Sequence, residues 1–354
     1  MRATGRRCHS LLLVTSAFAC AAVLSACYGA GTTGGSYGRD WRFSNAGLVV
    51  EFAPAVDRIT WFGPLNGPNM LFVTGEHRDV DPNRPIPGAD AAASSSTCTF
   101  FGGCLTWVAP QAGPHGWTDG AGAPAPWPPD PAMDTGPCYR SGWSPTGFAA
   151  TGPVHRSGLK ETKEFVLLDR NSAELRFTLH NTTGRPISAA TWISCAAHAA
   201  DTIAVRLQRH SQEPGKSADA MIRGWAEDAR SEELFRSVMS EPSSNGWALI
   251  RLADVNWDPG VKVFFDLAGE GGEIAVWHAG YWLHRRTLAQ DEAGYARLVA
   301  AGEGRAAIFA EPRSHIVELQ LTGPLVDIPP RGSTQTVERW TLIRSSYPDL
   351  SVLP

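Results

Sequence analysis

Lysine is scarce in this sequence, and the common motifs of catalytic chemistry are missing from it. Four of the 31 basic residues are lysine, and the net charge is −4 at pH 7. No basic stripe is present, so we expect no nucleic-acid partner. The chain has no GxSxG elbow, phosphate loop, HExxH pair or dinucleotide fingerprint, which leaves serine hydrolase, zinc protease and nucleotide-dependent chemistry unsupported. CxxC and HxxxH spacings are also missing. We therefore expect no cofactor and no metal.

The N-terminal segment has the pattern of a signal peptide. Arginines precede one apolar run, which is too short to span a bilayer as a stable helix. The run ends in Leu24-Ser25-Ala26-Cys27, which resembles the lipobox of bacterial lipoproteins. We expect residues 1–26 to be a lipoprotein signal peptide, Cys27 to be lipidated, and residues 27–40 to be a flexible, glycine-rich tether. The alternative is ordinary cleavage near Ala26.

This pattern also predicts where the protein resides. A lipidated Cys27 followed by a tether would place an exported domain on a membrane of the bacterial cell envelope. By resemblance to lipoprotein sorting rules, Tyr28 at the next position favours the outer membrane where the organism has one. No second apolar run of membrane length follows. The oligomeric state is left open.

Beyond Trp41, short segments with β character alternate with Gly, Pro, Asn and Asp. Closely and regularly spaced strands of this kind indicate an antiparallel sandwich or barrel. We expect a single domain over residues 41–349, with a third strand at Asn69–Thr74 and a long loop over Ala109–Gly158. One helix is predicted at Ser231–Met239, with Ser231 as its N-cap.

The stretch from Thr97 to Asp134 concentrates tryptophan, proline and glycine more than any other part of the chain. Trp107 and Trp127 flank its central part, and thirteen tryptophans occur in all. Flat apolar rings suit the C–H face of a sugar, and packing in the core is the alternative for each ring. We expect the part through Val108 to be a strand facing a cleft and the rest to be a lid over it.

Four cysteines remain once the N-terminal segment and the lipid anchor are set aside: Cys98, Cys104, Cys138 and Cys195. An even number in an exported protein is consistent with disulfides, and four cysteines allow three connectivities. Cys98–Cys104 is a plausible local pair, with Cys138–Cys195 as its complement. Residues six apart in an extended strand lie about 20 Å apart, so the local pair needs a bend, which Gly102-Gly103 would supply.

Three blocks of sequence together resemble the galactose-mutarotase-like superfamily, in an uncharacterised bacterial branch. The first is Gly47 to Ile59, an early strand followed by a turn and an Arg-Ile strand. The second runs from Gly102-Gly103 through Pro110-Gln111 to Trp127-Pro128-Pro129-Asp130 and Asp134-Thr135-Gly136-Pro137. The third is Glu318 to Leu325, with Pro330-Arg331-Gly332-Ser333 and Glu338-Arg339-Trp340. The resemblance covers most of residues 41–345.

This resemblance implies an all-β fold, a large antiparallel β-supersandwich with a sugar-sized cleft on one sheet. Characterised mutarotases use a His as general acid and a Glu as general base, and the motifs around those two residues are not matched here. We therefore expect a carbohydrate-binding protein of the cell envelope. The alternatives are an aldose 1-epimerase with a His/Glu pair and a non-catalytic structural envelope protein.

Candidate site residues follow from these expectations. For catalysis we consider His115, in a Gly-Pro-His-Gly turn, His198, soon after a mid-chain strand, and Glu318, within an apolar alternation where a carboxylate needs a partner or a function. His278 and His284, around Tyr281-Trp282, are further residues that would line the cleft or face solvent. The ligand-binding candidates are Arg58, Trp107, Gln111, Trp127, Asp130 and Asp134. Turn formation is the alternative for the two aspartates, and an ion pair with Arg58 is the alternative for Glu318.

Overall fold

Alternating side chains along many short strands produce two large antiparallel sheets in this protein. The computed structural model describes residues 40–81, 100–119, 121–125, 127, 129–210, 217–219, 221–225, 228–254, 260–267, 271–311 and 316–354. The predicted signal peptide, Cys27 and Cys98 lie outside the described residues. The predictions made for them, and the prediction of a single domain, stay predictions.

The first half of the described chain consists of strands with one short helix. In chain order these are β1 (Trp41–Ser44), β2 (Leu48–Ala53), β3 (Arg58–Pro64), β4 (Cys104–Ala109), α1 (Pro131–Asp134), β5 (Tyr139–Ser144), β6 (Gly147–Val154), β7 (Leu159–Leu167), β8 (Ser172–Asn181), β9 (Ile187–Ala196) and β10 (Thr202–Arg206).

The second half continues with strands and two longer helices. These are β11 (Gln208–His210), β12 (Ser217–Asp219), β13 (Met221–Gly224), α2 (Ala229–Val238), β14 (Trp247–Arg251), β15 (Val261–Asp266), β16 (Glu273–His278), β17 (Tyr281–Thr287), α3 (Glu292–Ala300), β18 (Ala306–Glu311), β19 (Ile316–Thr322), β20 (Val326–Ile328) and β21 (Ser333–Arg344).

Pairing of these strands gives two main sheets. The first, here the cleft sheet, has the order β1-β2-β3-β4-β9-β19-β18-β15-β13, with β20 also paired to β9. The second has the order β14-β10-β16-β17-β21-β8-β7-β6-β5. Neighbouring strands in both are antiparallel. The predicted all-β antiparallel sandwich is confirmed.

An aromatic core joins the two sheets. Phe62 of the cleft sheet packs edge-on against Trp340 of the other, with ring centroids 4.9 Å apart, and Phe165 contacts both rings. All three side chains are fully buried. In β7, burial alternates strictly along the strand, which is the period-two pattern of a strand with one face on the core. The central strand β4 is buried on both faces.

Several local predictions were wrong. Asn69–Thr74 is not a strand, because the Asn69 side chain bonds backbone groups of Thr60, Phe62 and Leu71 in place of a ladder. The last part of the predicted loop at 109–158, residues 139–154, is instead the hairpin β5–β6. Helix α2 begins earlier than predicted, because Asp228 rather than Ser231 caps it by accepting from the Arg230 N–H. Helix α3 was not predicted. Among the described residues, no helix has the length and apolarity to cross a bilayer.

Candidate functional site

A cavity of about 370 Å³ lies on the face of the cleft sheet that points away from the second sheet. Its volume lies within the usual range of small-molecule sites. Aromatic rings form much of its wall: Phe100, Trp107, Trp127, Trp192, Trp225 and Phe309. Five polar side chains are set among them: Arg58, Gln111, Lys262, Glu318 and Gln320. The cavity is thus an aromatic chamber with a few polar groups.

Strand register explains which side chains meet in this chamber. Because side chains alternate along a strand, directly paired residues share a face of the sheet. Glu318 of β19 is paired with Phe309 of β18, which is paired with Lys262 of β15. These three residues therefore form one row across the sheet, here the Glu318–Lys262 row. In the neighbouring row, Gln320 is paired with Ser194.

Glu318 is a buried carboxyl group on the floor of the cavity, with 6% of its surface exposed. Gln320 donates a hydrogen bond of 2.8 Å from Nε2 to its Oε2 atom. Burial raises the pKa of Glu318, and the Gln320 hydrogen bond and the charges of Arg58 and Lys262 oppose that rise. A carboxyl group in this setting is suited to holding a proton at a higher pH than an exposed one.

Lys262 is a buried amine at the other end of the row. Its Nζ atom lies 3.6 Å from Oε2 of Glu303 and 3.5 Å from Oε1 of Gln111. It also lies 4.3 Å from the centre of the Trp192 ring, where the π electrons stabilise a cation. Burial lowers the pKa of Lys262, and the Glu303 carboxylate opposes this effect. The amine is thus held among aromatic rings with one acidic neighbour.

Arg58 forms a buried ion pair behind the cavity wall. Its Nη2 atom donates to Oδ1 of Asp134 over 3.1 Å, and the same oxygen accepts from Nε1 of Trp107 at 3.2 Å. Asp134 thereby fixes two residues that line the cavity without lining it itself. Both members of the ion pair are buried. In a buried ion pair, each charge compensates the cost of burying the other.

Several buried polar atoms of the lining residues have no hydrogen-bond partner among the described residues. They are Nε and Nη1 of Arg58, Oε1 of Gln320 and Nε1 of Trp192. Each of these side chains is at most 3% exposed. Buried polar groups in native proteins almost always find a partner, either protein, water or ligand. Arg58 and Trp192 thus place unpartnered donors, and Gln320 an unpartnered acceptor, at the border of the cavity.

Two groups of tryptophans define the cavity wall and mouth. Trp107 lies edge-on to Trp117 and Trp192, with centroids 5.4 and 5.2 Å away, and forms a rigid cluster with them. Trp117 is tied to the sheet by a 2.7 Å hydrogen bond from Nε1 to the Val108 carbonyl. Trp127, by contrast, is 52% exposed at the mouth. Its exposed ring is positioned to contact a ligand that enters the cavity.

The structure brings five of the predicted site residues to the cavity and leaves others away from it. Those lining it are Arg58, Trp107, Gln111, Trp127 and Glu318. Asp130 instead accepts from the Ala132 N–H and caps α1. His115 lies beside Asp130 on a separate cavity of about 70 Å³. No histidine among the described residues lines the larger cavity.

His198 and His278 form a separate pair. Their rings stack with centroids 4.0 Å apart, and Nδ1 of His278 lies 2.7 Å from Oδ1 of Asp201. Burial lowers the pKa of His198. His284 lies 2.7 Å from Oε1 of Glu273, in the second sheet. These histidines contact carboxylates or stack on each other outside the cavity.

The disulfide in the structure joins Cys104 of β4 to Cys195 of β9. The two residues face each other directly in the strand register. The favoured pairs Cys98–Cys104 and Cys138–Cys195 were therefore wrong, because sheet pairing across 91 residues brings together cysteines that are distant in sequence. Cys138 is buried and unpaired. The disulfide joins two strands of the cavity floor.

Sequence reasoning missed Lys262, Gln320, Trp192, Trp225 and Phe309. A signal existed for two of them. Gln320 follows Glu318 at a spacing of two, which places both side chains on one face of a strand. Lys262 is the one basic residue of a strand that is otherwise apolar up to its last residue, Val261–Asp266, and a buried charge requires a partner. The described residues contain no group of three or more His, Cys, Asp or Glu able to hold a metal ion.

Comparison with known proteins gives similarity in structure alone. No family model and no curated protein matches the sequence. A candidate aldose 1-epimerase from Escherichia coli K12 is similar with a TM-score of 0.50 and 12% identity, over 86% of this chain and 99% of that one. Another candidate aldose 1-epimerase, from Klebsiella pneumoniae, has a TM-score of 0.50 and 10% identity, over 86% and 78% of the two chains.

A third solved structure, a galactose mutarotase-like protein from Lactobacillus casei, has a TM-score of 0.49 and 9% identity, over 86% of this chain and all of that one. The similarity to the Escherichia coli structure covers 86% of this chain. The two antiparallel sheets described above agree with it. This protein has the galactose-mutarotase-like fold.

Proposed function

We propose that the cavity on the cleft sheet binds a neutral carbohydrate. The observation that carries this proposal is the set of unpartnered polar atoms on Arg58, Gln320 and Trp192, buried in an aromatic chamber. A sugar has hydroxyl groups that donate and accept, and C–H faces that pack on aromatic rings. Such a molecule would satisfy both kinds of surface at once.

Charge within the cavity supports a neutral ligand over an acidic one. Arg58 is balanced by Asp134, and Lys262 lies beside Glu303. Glu318 adds a further carboxyl group on the floor, between these two cations in the strand order. Both cations are thus already beside carboxylates, so no unpaired positive charge is left to offset the cost of burying the charge of an acidic sugar.

Calorimetric titration with a panel of mono- and oligosaccharides tests the proposal. We expect saturable binding to the wild type, weakened about fivefold in Trp127→Ala because an exposed aromatic contact of this kind contributes about 1 kcal/mol. Tyr347→Ala is the matched control, since Tyr347 is 63% exposed and lies outside the cavity lining. The absence of binding across the whole panel would instead support a structural role for the fold.

Aldose 1-epimerase activity is a second candidate, favoured by the position of Glu318 in the cavity. A general base in such an enzyme needs a partner that donates a proton to the other side of the sugar. The two histidines considered from sequence, His115 and His198, lie outside the cavity lining. Polarimetry of freshly dissolved α-D-galactose and α-D-glucose tests this activity, and a rate unchanged by added protein counts against it for those sugars.

We further propose that the protein is anchored to the cell envelope through a lipid on Cys27, with the outer membrane as its location where the organism has one. The Leu-Ser-Ala-Cys sequence and the glycine-rich segment after it support this proposal. Expression with radiolabelled palmitate tests it. We expect label in the wild type and none in Cys27→Ser, whereas equal labelling of the two would contradict it.

A further inference from the structure

Lys262 differs in its surroundings from Lys160 and Lys163, the other lysines that the structure describes. The chain has four lysines, at positions 160, 163, 216 and 262. Lys163 is buried, but its Nζ atom is held by Asp57 and lies 3.4 Å from Glu161, away from the cavity. Of the three lysines in the described part of the chain, Lys262 is the one that lines the cavity. A primary amine in a ligand cavity offers chemistry that arginine, the more frequent cation here, does not.

The groups around Lys262 suit an amine that loses its proton. Aromatic rings surround Nζ, with Trp192, Phe264 and Trp225 centred 4.3, 5.2 and 5.8 Å away. Burial lowers the pKa of Lys262, against the stabilisation of its cation by the ring faces and by Glu303, and a desolvated lysine of this kind can act as a nucleophile. The carboxylate of Glu303, 3.6 Å away, is positioned to accept the proton.

Glu318 supplies an acid at the other end of the row. Glu318 and Lys262 are separated by Phe309 in the strand register, so their backbones lie two strand spacings apart, about 10 Å. Both side chains project on the same face and line the same cavity. A carbonyl group lying over the Phe309 ring would therefore have the amine on one side and the carboxyl group on the other.

We propose that Lys262 captures the open-chain carbonyl carbon of a reducing sugar as an imine, an inference that rests on the proposed carbohydrate binding. The unprotonated Lys262 nitrogen forms a bond to the carbonyl carbon as the C=O π bond breaks, and one N–H proton passes to Glu303. The carbonyl oxygen takes a proton from Glu318 and becomes the hydroxyl of a carbinolamine. The C–O bond then breaks, C=N forms, and the oxygen leaves as water with the proton returned from Glu303. The nitrogen keeps its remaining proton, so the product is the protonated imine, whose positive charge balances the Glu318 carboxylate. No electrons are gained or lost overall.

Reductive trapping tests the proposal. The full chain is incubated with D-galactose or D-glyceraldehyde and sodium cyanoborohydride, which reduces an imine to a stable secondary amine, and peptide mass spectrometry then locates the adduct. With four lysines in the chain, each site is resolved separately. We expect modification of Lys262 at least tenfold faster than that of Lys160. Glu318→Gln should slow trapping at Lys262 about tenfold.

Two variants separate reactivity from folding. Lys262→Arg keeps the charge and loses the primary amine, so it should give no adduct at position 262 while its thermal unfolding midpoint stays near that of the wild type. Lys160→Met should trap as the wild type does. Saturable sugar binding with Lys262 labelled no faster than Lys160 overturns the imine and leaves carbohydrate binding intact. Loss of both sugar binding and trapping in the wild type overturns both proposals.

Discussion

Gln320 donates a hydrogen bond of 2.8 Å to the carboxyl group of Glu318, two residues earlier on the same strand. This bond leaves Oε1 of Gln320 without a partner among the described residues. One amide thus fixes the carboxyl group with its nitrogen and leaves its oxygen available in the cavity. Gln320 and Glu318 form the polar floor of the cavity, which the proposed ligand binding requires.

The burial of Glu318 predicts a pH dependence of stability. Its pKa is raised in the folded protein, so the folded state holds this proton more tightly than the unfolded state. The contribution of Glu318 to stability is therefore complete below about pH 4.5, its ordinary pKa, and is lost as pH rises through the raised value. Glu318→Gln should lose less stability than the wild type between pH 4.5 and pH 8, measured by urea unfolding. Parallel pH profiles for the two proteins would contradict this.

The ion pair behind the cavity predicts a large effect of a single truncation. Asp134→Ala leaves the Arg58 charge buried without its carboxylate and removes the acceptor for Trp107. We expect a loss of about 3–5 kcal/mol in the free energy of unfolding. Asp327→Ala is the matched control, because its ion pair with Arg297 is exposed and should contribute at most about 1 kcal/mol. Equal effects of the two substitutions in urea unfolding would contradict the assignment.

The disulfide predicts a non-additive pair of substitutions. Cys104→Ala and Cys195→Ala each remove the same link between β4 and β9, across 91 residues of chain. Each should lower the free energy of unfolding by about 2–5 kcal/mol under oxidising conditions. The double variant should be no less stable than the weaker single variant. Additive losses, measured by guanidinium unfolding, would mean that the two cysteines act independently.

The burial of His155 predicts that the folded protein loses stability as the pH falls. Burial lowers the pKa of its ring from 6.5 to about 4. The unfolded state then binds the proton at a higher pH than the folded state, so stability is present above pH 6.5 and is lost as pH falls toward 4. The shift corresponds to about 3 kcal/mol. His155→Leu should lose about that much less than the wild type between pH 7 and pH 4. Identical losses in urea unfolding would refute the role of the ring.

Strands were predictable where the local alternation of apolar and polar residues determines them. Apolar residues alternate with polar ones from Ala173 to His180 in β8, and this pattern determines a strand without reference to the rest of the chain. The hairpin β5–β6 was missed because it is rich in Gly, Ser and Thr, which are typical of loops. Gly147 is required there for a non-local reason: a Cβ atom would meet the Phe165 carbonyl oxygen at 2.0 Å.

The site was only partly predictable because it depends on register between distant strands. Glu318 and Trp107 attract attention in sequence as a carboxylate and a ring in β segments. The position of Lys262 opposite Glu318 follows from the pairing of β15 with β18 and of β18 with β19. The pairing of Cys104 with Cys195 depends in the same way on β4 meeting β9. No local spacing contains this information.

A crystal structure with bound sugar tests the central claim most directly. The protein is crystallised with the sugar that calorimetry identifies as the tightest ligand. We predict a sugar ring over Phe309, with hydroxyl groups within hydrogen-bond distance of Gln320 Oε1 and Arg58 Nη1. A sugar bound elsewhere, for example in the smaller cavity beside His115, with those two atoms still unpartnered by ligand, would contradict it.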